Sequence, residues 1–477
     1  MKKTLLLLSI LGLISNGQAM AQDEVATNQI EAVTPNERIG PQVQVPQSPA
    51  SDDQGLFSAQ GDWLNTHGIN PHLTFTQMYF ANPGVGVNTN NSESVSIFTV
   101  GAAFDLEKLI GLPGGAIHYE HLFAPWVHNL NYGGQSSSAV VGTLGPYVPQ
   151  TSHLTLFTYE QKLLDNKLAL EAGKSNAGNY FALPMCNSPT MCVSAMLQNV
   201  VGMNPPPYAN WSARMAYDLS PKLRVQTGWW RSNDAFPFTD GWEANAGDSG
   251  GQVSNVYLAN VSYRTDFSME KYPFSYEVMG FYNDETQTNP YYTINGTSKV
   301  FNSSSLVKTS SGVSGTYLGA KKTIWRADGG ATDNPNPKSI SVYASMTQAF
   351  NNENSKGIDN QGNAGVIFNH VFESRPFDSY AINFLWAHLT DAEQKFLSDA
   401  HTASGGTGYD VGQTETAVSA DANFILRKGI IFSPFVMYSW NSNSILNPYS
   451  ATNPESGFSF GATLHFQLDQ ILGLSRN

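Results

Sequence analysis

The stretch 457–468, GFSFGATLHFQL, decides the fold class of this chain. Its even-numbered side chains are apolar and include Phe458, Phe460 and Phe466, whereas its odd-numbered side chains are Gly, Ser, Thr, His and Gln. Successive side chains of a β-strand point to opposite faces, so the stretch predicts a strand with one apolar and one polar face. In a membrane barrel the apolar face meets lipid and the polar face lines a lumen. The stretch therefore favours a transmembrane β-barrel.

The same two-residue period recurs along the chain and predicts sixteen strands. Sixteen is an even number, as closed bacterial single-chain barrels have. We therefore predict an all-β fold, a transmembrane antiparallel barrel over residues 61–468, with almost no helical periodicity. The predicted strands are 72–80, 95–106, 116–126, 153–164, 167–175, 208–219, 222–231, 254–265, 273–284, 316–326, 338–350, 362–373, 378–390, 415–426, 430–440 and 457–468.

Connector lengths alternate along these strands. Connectors after even-numbered strands are short, such as Asp165 with Asn166 and Ser220 with Pro221. Outer-membrane barrels have short periplasmic turns and long extracellular loops, which must alternate. The pattern thus places the long connectors outside the cell. They include 127–152, 176–207, 232–253, 285–315 and 391–414.

The two ends of the chain differ from the barrel in composition. Residues 1–21 predict a signal peptide, with a positive start, an apolar run at 5–14 and a small-x-small pattern at 19–21. The apolar run is too short to cross a bilayer as a helix. Residues 22–60 are rich in Gln, Pro, Asn and Asp and predict a flexible periplasmic leader. Residues 469–477 form a short C-terminal tail.

Composition and motifs exclude several classes of function. The formal net charge of −13 disfavours nucleic acid as a partner, because phosphate neutralisation needs clustered Lys and Arg. The sequence lacks H-E-x-x-H, G-x-S-x-G and a phosphate-binding Gly-Lys-Ser/Thr loop. On a strand, His118 and Glu120 share a face while His121 points to the other, so the three do not converge on one metal ion. We predict a protein that is not an enzyme and uses no cofactor or metal.

Selective contact is the chemistry expected of a pore. A sugar needs polar donors and acceptors and an aromatic face, and opposed charged rows set a transverse field. Loop 176–207 is a candidate for folding inward and narrowing the channel. The side chains that alternation assigns to the lumen are Glu120, Glu171, Arg214, Arg224, Trp230, Arg264 and Asp421. Lys174 and Asn176 follow Glu171, where the strand enters the long loop, and complete the predicted constriction.

The two cysteines of the chain, Cys186 and Cys192, lie in that loop. Export places them in an oxidising compartment, so we predict a disulfide that closes a small loop. A redox-active pair more often has the C-x-x-C spacing, which is absent. The predicted bond is therefore a structural one.

Several segments carry a resemblance together: 106–115 (LEKLIGLPGG), 159–164 (YEQKLL), 170–178 (LEAGKSNAG), 263–266 (YRTD), 280–284 (GFYND) and the close cysteine pair. In this order they resemble the carbohydrate-selective porin family, the OprB type, over essentially the whole barrel. This resemblance implies a sixteen-stranded outer-membrane channel for sugar uptake. Lys174 stands where that family usually has Arg, and the tail extends beyond the aromatic-ended last strand.

The leading interpretation is a bacterial outer-membrane porin for passive diffusion of small neutral solutes, with monosaccharides favoured by the resemblance. Outer-membrane lipid, small sugars and the barrel-assembly machinery are its expected partners, and both a monomer and a homo-oligomer stay open. An outer-membrane barrel that serves as a scaffold for an enzymatic or surface-binding role is an alternative. A secreted β-rich carbohydrate-binding protein is another; its exposed strand faces would be mixed instead of uniformly apolar on one side.

Overall fold

The computed structural model describes residues 55–145, 148–204, 208–233, 240–245, 252–330, 334, 336–351 and 353–475. The predicted signal peptide and most of the predicted leader lie outside these residues. Sixteen antiparallel strands form one closed barrel, in which β1 pairs with both β2 and β16. The strands are β1 Ile69–Asn82, β2 Asn91–Asp105, β3 Gly115–Ala124, β4 Thr151–Leu163, β5 Leu168–Ser175, β6 Asn210–Ser220, β7 Leu223–Asn233, β8 Val253–Arg264, β9 Phe274–Thr293, β10 Val307–Arg326, β11 Ser339–Ala349, β12 Ile358–Asn369, β13 Ser379–Leu389, β14 Thr414–Arg427, β15 Ile430–Trp440 and β16 Gly457–Gln467.

Each of the sixteen predicted strands overlaps one strand of the structure, and the predicted fold class is confirmed. The largest difference is at β9 and β10, which have 20 residues each and occupy much of the predicted loop 285–315. Their extensions, such as ETQTNP at 285–290, are polar on both faces. The β9–β10 hairpin continues beyond the part of the barrel whose outer face is apolar. The two-residue period is therefore absent from these extensions.

Among the described residues, five α-helices accompany the barrel: α1 Ser58–Thr66, α2 Leu106–Ile110, α3 Tyr132–Ser136, α4 Asp391–Ala403 and α5 Leu468–Leu472. The 13-residue α4 corrects the prediction that helical periodicity is negligible. Thr390 caps it by accepting a hydrogen bond from Glu393 N at 3.1 Å, as Thr followed three residues later by Glu favours. Within the part of the chain that the structure describes, no helix is long and apolar enough to cross a membrane.

The outer surface of the barrel is apolar, as alternation predicts. Phe458 and Phe460 are 55% and 44% exposed, whereas Ser459 between them is buried. Residues paired across a ladder face the same side, so the register extends this assignment from strand to strand. The outward side chains therefore form the belt that meets lipid.

The inside of the barrel is less uniformly polar than predicted. A buried apolar cluster joins inward wall residues such as Leu258, Phe281 and Leu385 with loop residues such as Phe181 and Met196. These wall residues contact chain that folds into the barrel instead of facing water. Apolar wall positions are favoured there because burying them against the loop removes their surface from water.

The ends of the described chain pack against each other. Phe57 N donates to Leu472 O at 2.8 Å, and Asn65 Nδ2 donates to Leu474 O at 3.0 Å. A methyl group on Gly61 would overlap Gly473 O, so α1 approaches the tail closely only because residue 61 is glycine. The helix α1 crosses the predicted boundary at residues 60 and 61 between leader and barrel.

Candidate functional site

The segment 177–204, which follows β5, folds into the barrel and is held by inward side chains of the wall. Gln226 Nε2 on β7 donates to Tyr180 O at 2.6 Å. The Glu277 carboxylate on β9 accepts hydrogen bonds from Ala182 N at 2.8 Å and Leu183 N at 3.2 Å. Wall side chains thus satisfy backbone groups that would otherwise be buried without partners.

Farther along, the same segment reaches the opposite part of the wall. Gln361 Oε1 on β12 accepts from Met196 N at 2.8 Å, and Asn423 Nδ2 on β14 donates to Asn187 O at 2.9 Å. Contacts on β7, β9, β12 and β14 require a segment that crosses the interior. We call residues 177–204 the inward loop. Three residues of the predicted loop 176–207, 205–207, lie outside the described part of the chain.

The predicted disulfide is present in the inward loop. Cys186 and Cys192 are bonded, with their Cα atoms 5.9 Å apart. Met191, between them, is fully buried and its carbonyl accepts from Asn363 Nδ2 at 3.0 Å. The disulfide therefore closes the part of the loop that docks on β12.

Glu171 and Arg214 form a buried ion pair on the wall beside the inward loop. Arg214 Nη2 lies 2.7 Å from Glu171 Oε2, and the two side chains are 5% and 4% exposed. The guanidinium lies 4.2 Å from the centre of the Tyr180 ring, and Tyr180 OH donates to Glu171 Oε1 at 2.8 Å. The pair thus contacts the loop directly, and charge-assisted bonds of this kind are stronger than neutral ones.

Three other predicted constriction residues also hold the inward loop. Asp421 accepts from Asn187 Nδ2 at 2.8 Å. Asn176 bridges the two ends of the loop region, because its Nδ2 donates to Tyr208 O at 3.0 Å and its Oδ1 accepts from Gly178 N at 2.8 Å. Trp230 is only 1% exposed and its ring meets Phe181 edge-on at 5.5 Å. Trp230 therefore supports the loop and does not offer a ring face to a solute, which corrects its predicted role.

Lys174 lies on the other side of the wall from Glu171. It pairs with Phe157 and Trp211, whose side chains are 44% and 38% exposed on the outer face. Its ammonium donates to Gly241 O and lies 3.6 Å from Glu243 Oε2. The prediction that Lys174 belongs to the constriction is thus contradicted. Strand alternation, continued by three residues from Glu171, places it outward.

The remaining predicted residues lie toward the periplasmic end. Arg224 Nε is 2.6 Å from Asp218 Oδ1 across the β6–β7 turn. Arg264 is exposed at the end of β8. Glu120 on β3 accepts from Thr155 Oγ1 at 2.9 Å. Glu120 and Arg224 are thus bonded to groups other than those that hold the inward loop, so the predicted set divides into two groups.

A second inward segment, which includes Tyr132 and Val140 in the connector between β3 and β4, was not predicted. Glu415 on β14 accepts from Val140 N at 3.2 Å and from Asn443 Nδ2 at 3.0 Å, which ties two extracellular loops to the wall. Tyr132 is buried, with its ring 6.5 Å from that of Phe80 on β1. Alternation places Glu415 on the same face as Asp421, and this was the available signal.

The histidines of β3 do not form a metal site with their neighbours. His118 Nε2 lies 3.3 Å from Glu160 Oε2 in a buried pair, whereas His121 Nε2 lies 2.8 Å from Ser152 Oγ in an exposed one. Among the residues that the structure describes, no group of three or more His, Cys, Asp or Glu is arranged to hold a metal ion.

The family model for the carbohydrate-selective porins, OprB family, matches residues 50–466. The chain belongs to this family. Porin B of Pseudomonas aeruginosa is 21% identical to this porin over 324 residues, which cover 66% of this chain and 68% of that one. The high-pH structure of Pseudomonas putida OprB has 18% identity and a TM-score of 0.72, covering 87% of this porin and 99% of that chain. The low-pH structure of the same protein has 14% identity and a TM-score of 0.50 with the same coverage.

These matches and the closed barrel establish the class of this porin. It is an outer-membrane sugar channel, with carbohydrates as permeants and lipid around its apolar belt. The resemblance stated from the sequence, the barrel class and the location are confirmed. The family and the fold point to a channel and not to an enzyme.

Proposed function

We propose that this porin passes small neutral solutes, above all monosaccharides, by passive diffusion through a passage narrowed by the inward loop. The observation that supports this most is the anchoring of the loop by wall side chains from β7, β9, β12 and β14. A segment held on several sides leaves only part of the barrel cross-section open. Size selection follows from that reduced opening.

Glu171, Arg214 and Asp421 have an indirect role in this proposal. They fix the position of the inward loop and thereby set the width of the passage. Glu120, Arg224 and Arg264 lie on the periplasmic side of the inward loop, where hydroxyl groups of a sugar find charged partners. The constriction is therefore built in two layers, one that sets its shape and one that supplies charge.

Planar-bilayer recordings of the refolded porin, with glucose titrated into the salt solution, test this function. We expect stepwise channels whose current falls as glucose rises, because a bound sugar blocks the ion path. Channels indifferent to glucose would leave a porin without the proposed monosaccharide selectivity. Absence of channels from folded, inserted protein would contradict the channel itself.

A disulfide variant isolates the contribution of the inward loop. Replacing Cys186 and Cys192 together by Ser should raise the glucose concentration that halves the current several-fold, because the loop docks less tightly. The control is Thr66→Ser in α1, because the exposed Thr66 hydroxyl donates to Asp62 O within its own helix, away from the inward loop. Equal glucose titrations for the wild type and both variants would exclude the loop as the selective element.

We further propose that residues 1–21 are cleaved, that residues 22–60 form a periplasmic leader, and that the barrel-assembly machinery inserts the chain. A homo-oligomer is compatible with a barrel that is complete in one chain. Mass spectrometry of the membrane-extracted protein gives both the mature N-terminus and, under native conditions, the number of copies. A mature mass that includes residues 1–21 would contradict the cleavage.

A further inference from the structure

We propose that the lumen below the inward loop is electrically polarised, with Glu120 and Lys321 as its opposed specificity-determining charges. The proposal rests on the channel function and names residues that govern which ions pass and how a polar solute is oriented. Lys321 is not among the residues that the sequence singled out.

The negative side is built around Glu120. It pairs with Gly101, which in turn pairs with His72 on β1. Because Gly101 has no side chain, His72 Nε2 reaches across it to within 3.8 Å of Glu120 Oε2. Thr155 Oγ1 donates to the same carboxylate at 2.9 Å, so its position is fixed from two directions.

Neighbouring groups extend this side of the lumen without adding a permanent positive charge. His465 on β16 shares a hydrogen bond of 2.8 Å with Thr76 Oγ1. Asp469 of α5 places Oδ2 3.9 Å from His72 Nδ1. The sequences of β15, β16, β1, β2 and β3 contain no Lys or Arg. These five strands are neighbours in the barrel. Their ionisable side chains that point inward are therefore all carboxylates or histidines.

The positive side lies on β8 and β10. Lys321 pairs with Tyr343, which is buried on the inner face, and with Ser275 on β9. Arg264 pairs with Ser275 from the other side. Paired residues point the same way, so Lys321 and Arg264 flank Ser275 in one inward row.

The two sides face each other across the barrel. In the closed ring of sixteen strands, β3 and β10 are seven strands apart, close to diametrically opposed. Glu120 is five residues from the periplasmic start of β3, and Lys321 is five residues from the periplasmic end of β10. Fixed opposite charges at a similar depth in a narrow, low-dielectric opening produce a field across it. Cations then follow one wall and anions the other.

Reversal potentials in a KCl gradient test the proposal on single channels. Glu120→Gln should shift the cation-to-anion permeability ratio several-fold toward anions, and Lys321→Gln should shift it several-fold toward cations. The double variant should return near the wild-type ratio, since one charge of each sign has then been removed. Each single variant should also weaken current block by glucose.

The control is an exposed extracellular ion pair, in which Lys308 Nζ on β10 lies 2.7 Å from Glu353 Oε1 in the connector between β11 and β12. Lys308→Gln and Glu353→Gln should leave the permeability ratio unchanged. Unchanged ratios for Glu120→Gln and Lys321→Gln, in proteins that still form channels, would overturn the polarised lumen and leave the channel function standing. Loss of channels from the wild type would instead refute the channel function.

Discussion

At the scale of single residues, burial separates two ion pairs of similar geometry. Glu171 and Arg214 are almost fully buried, whereas Asp218 and Arg224 are about one-third exposed at the periplasmic turn. Removing one partner of a buried pair leaves an uncompensated charge, which costs about 3–5 kcal/mol. An exposed pair contributes about 0–1 kcal/mol, because water screens it. We therefore expect Arg214→Ala to lower the urea midpoint strongly and Arg224→Ala to change it little.

The Glu171–Arg214 pair also allows a test with a double variant. Combining Arg214→Met with Glu171→Gln removes both charges, so most of the lost stability should return. Urea unfolding in lipid vesicles, followed by tryptophan fluorescence, gives the urea midpoints of the wild type, the two single variants and the double variant. Equal midpoints for Arg214→Ala and Arg224→Ala would show that water reaches Arg214 as freely as it reaches Arg224.

At the scale of elements, alternation predicts what packs against lipid and fails where lipid is absent. The strand 457–468 can be recognised in the sequence because its outward side chains are Phe, Ala and Leu. The outer parts of β9 and β10 lie beyond the belt, so nothing imposes a two-residue period on them. Lys174 was assigned to the wrong face, although alternation counted from Glu171 already places it outward, and its ladder register with Phe157 and Trp211 shows that outward face. The sequence predicts that most of the site residues point inward. It does not predict which of them bind the inward loop, because those contacts depend on tertiary packing.

Helix α4 in the extracellular loop provides a pH prediction. Burial raises the pKa of Glu393 from its ordinary 4.5 to about 8, and nearby Lys299 opposes the shift only in part. The native helix therefore binds this proton more tightly than the unfolded segment does. Its docking is most stable below about pH 4.5 and loses stability as the pH rises to about 8. Amide exchange of residues 391–403, corrected for intrinsic rates, should accelerate over that interval.

The variant Glu393→Gln tests the cause of this pH dependence. Gln stays neutral at every pH, so exchange in α4 should lose most of its dependence between about pH 5 and 8. Lys395→Gln is the matched control, because Lys395 is exposed on the same helix and contacts Tyr292 OH at 2.8 Å. An accelerating exchange that persists in Glu393→Gln would assign the effect to another group.

At the scale of the whole molecule, the barrel has one seam without a covalent turn. Fifteen neighbouring strand pairs are joined by connectors, whereas β1 and β16 are joined only by their ladder. The tail and α1 meet beside this seam, through Phe57 N to Leu472 O and Asn65 Nδ2 to Leu474 O. We infer that the two ends act as a clasp that resists separation of the first and last strands.

Gly61→Ala tests the clasp with a single methyl group. The added carbon would overlap Gly473 O, and overpacking of this kind costs about 1–3 kcal/mol. Because unfolding of a membrane barrel is governed by its rate, the half-time at a fixed high temperature is the measurement, and we expect it to shorten. Gly280→Ala is the control, since nothing lies within 4 Å of the added carbon. An unchanged half-time for Gly61→Ala would mean that the ends release before the barrel opens and that a step other than their separation limits unfolding.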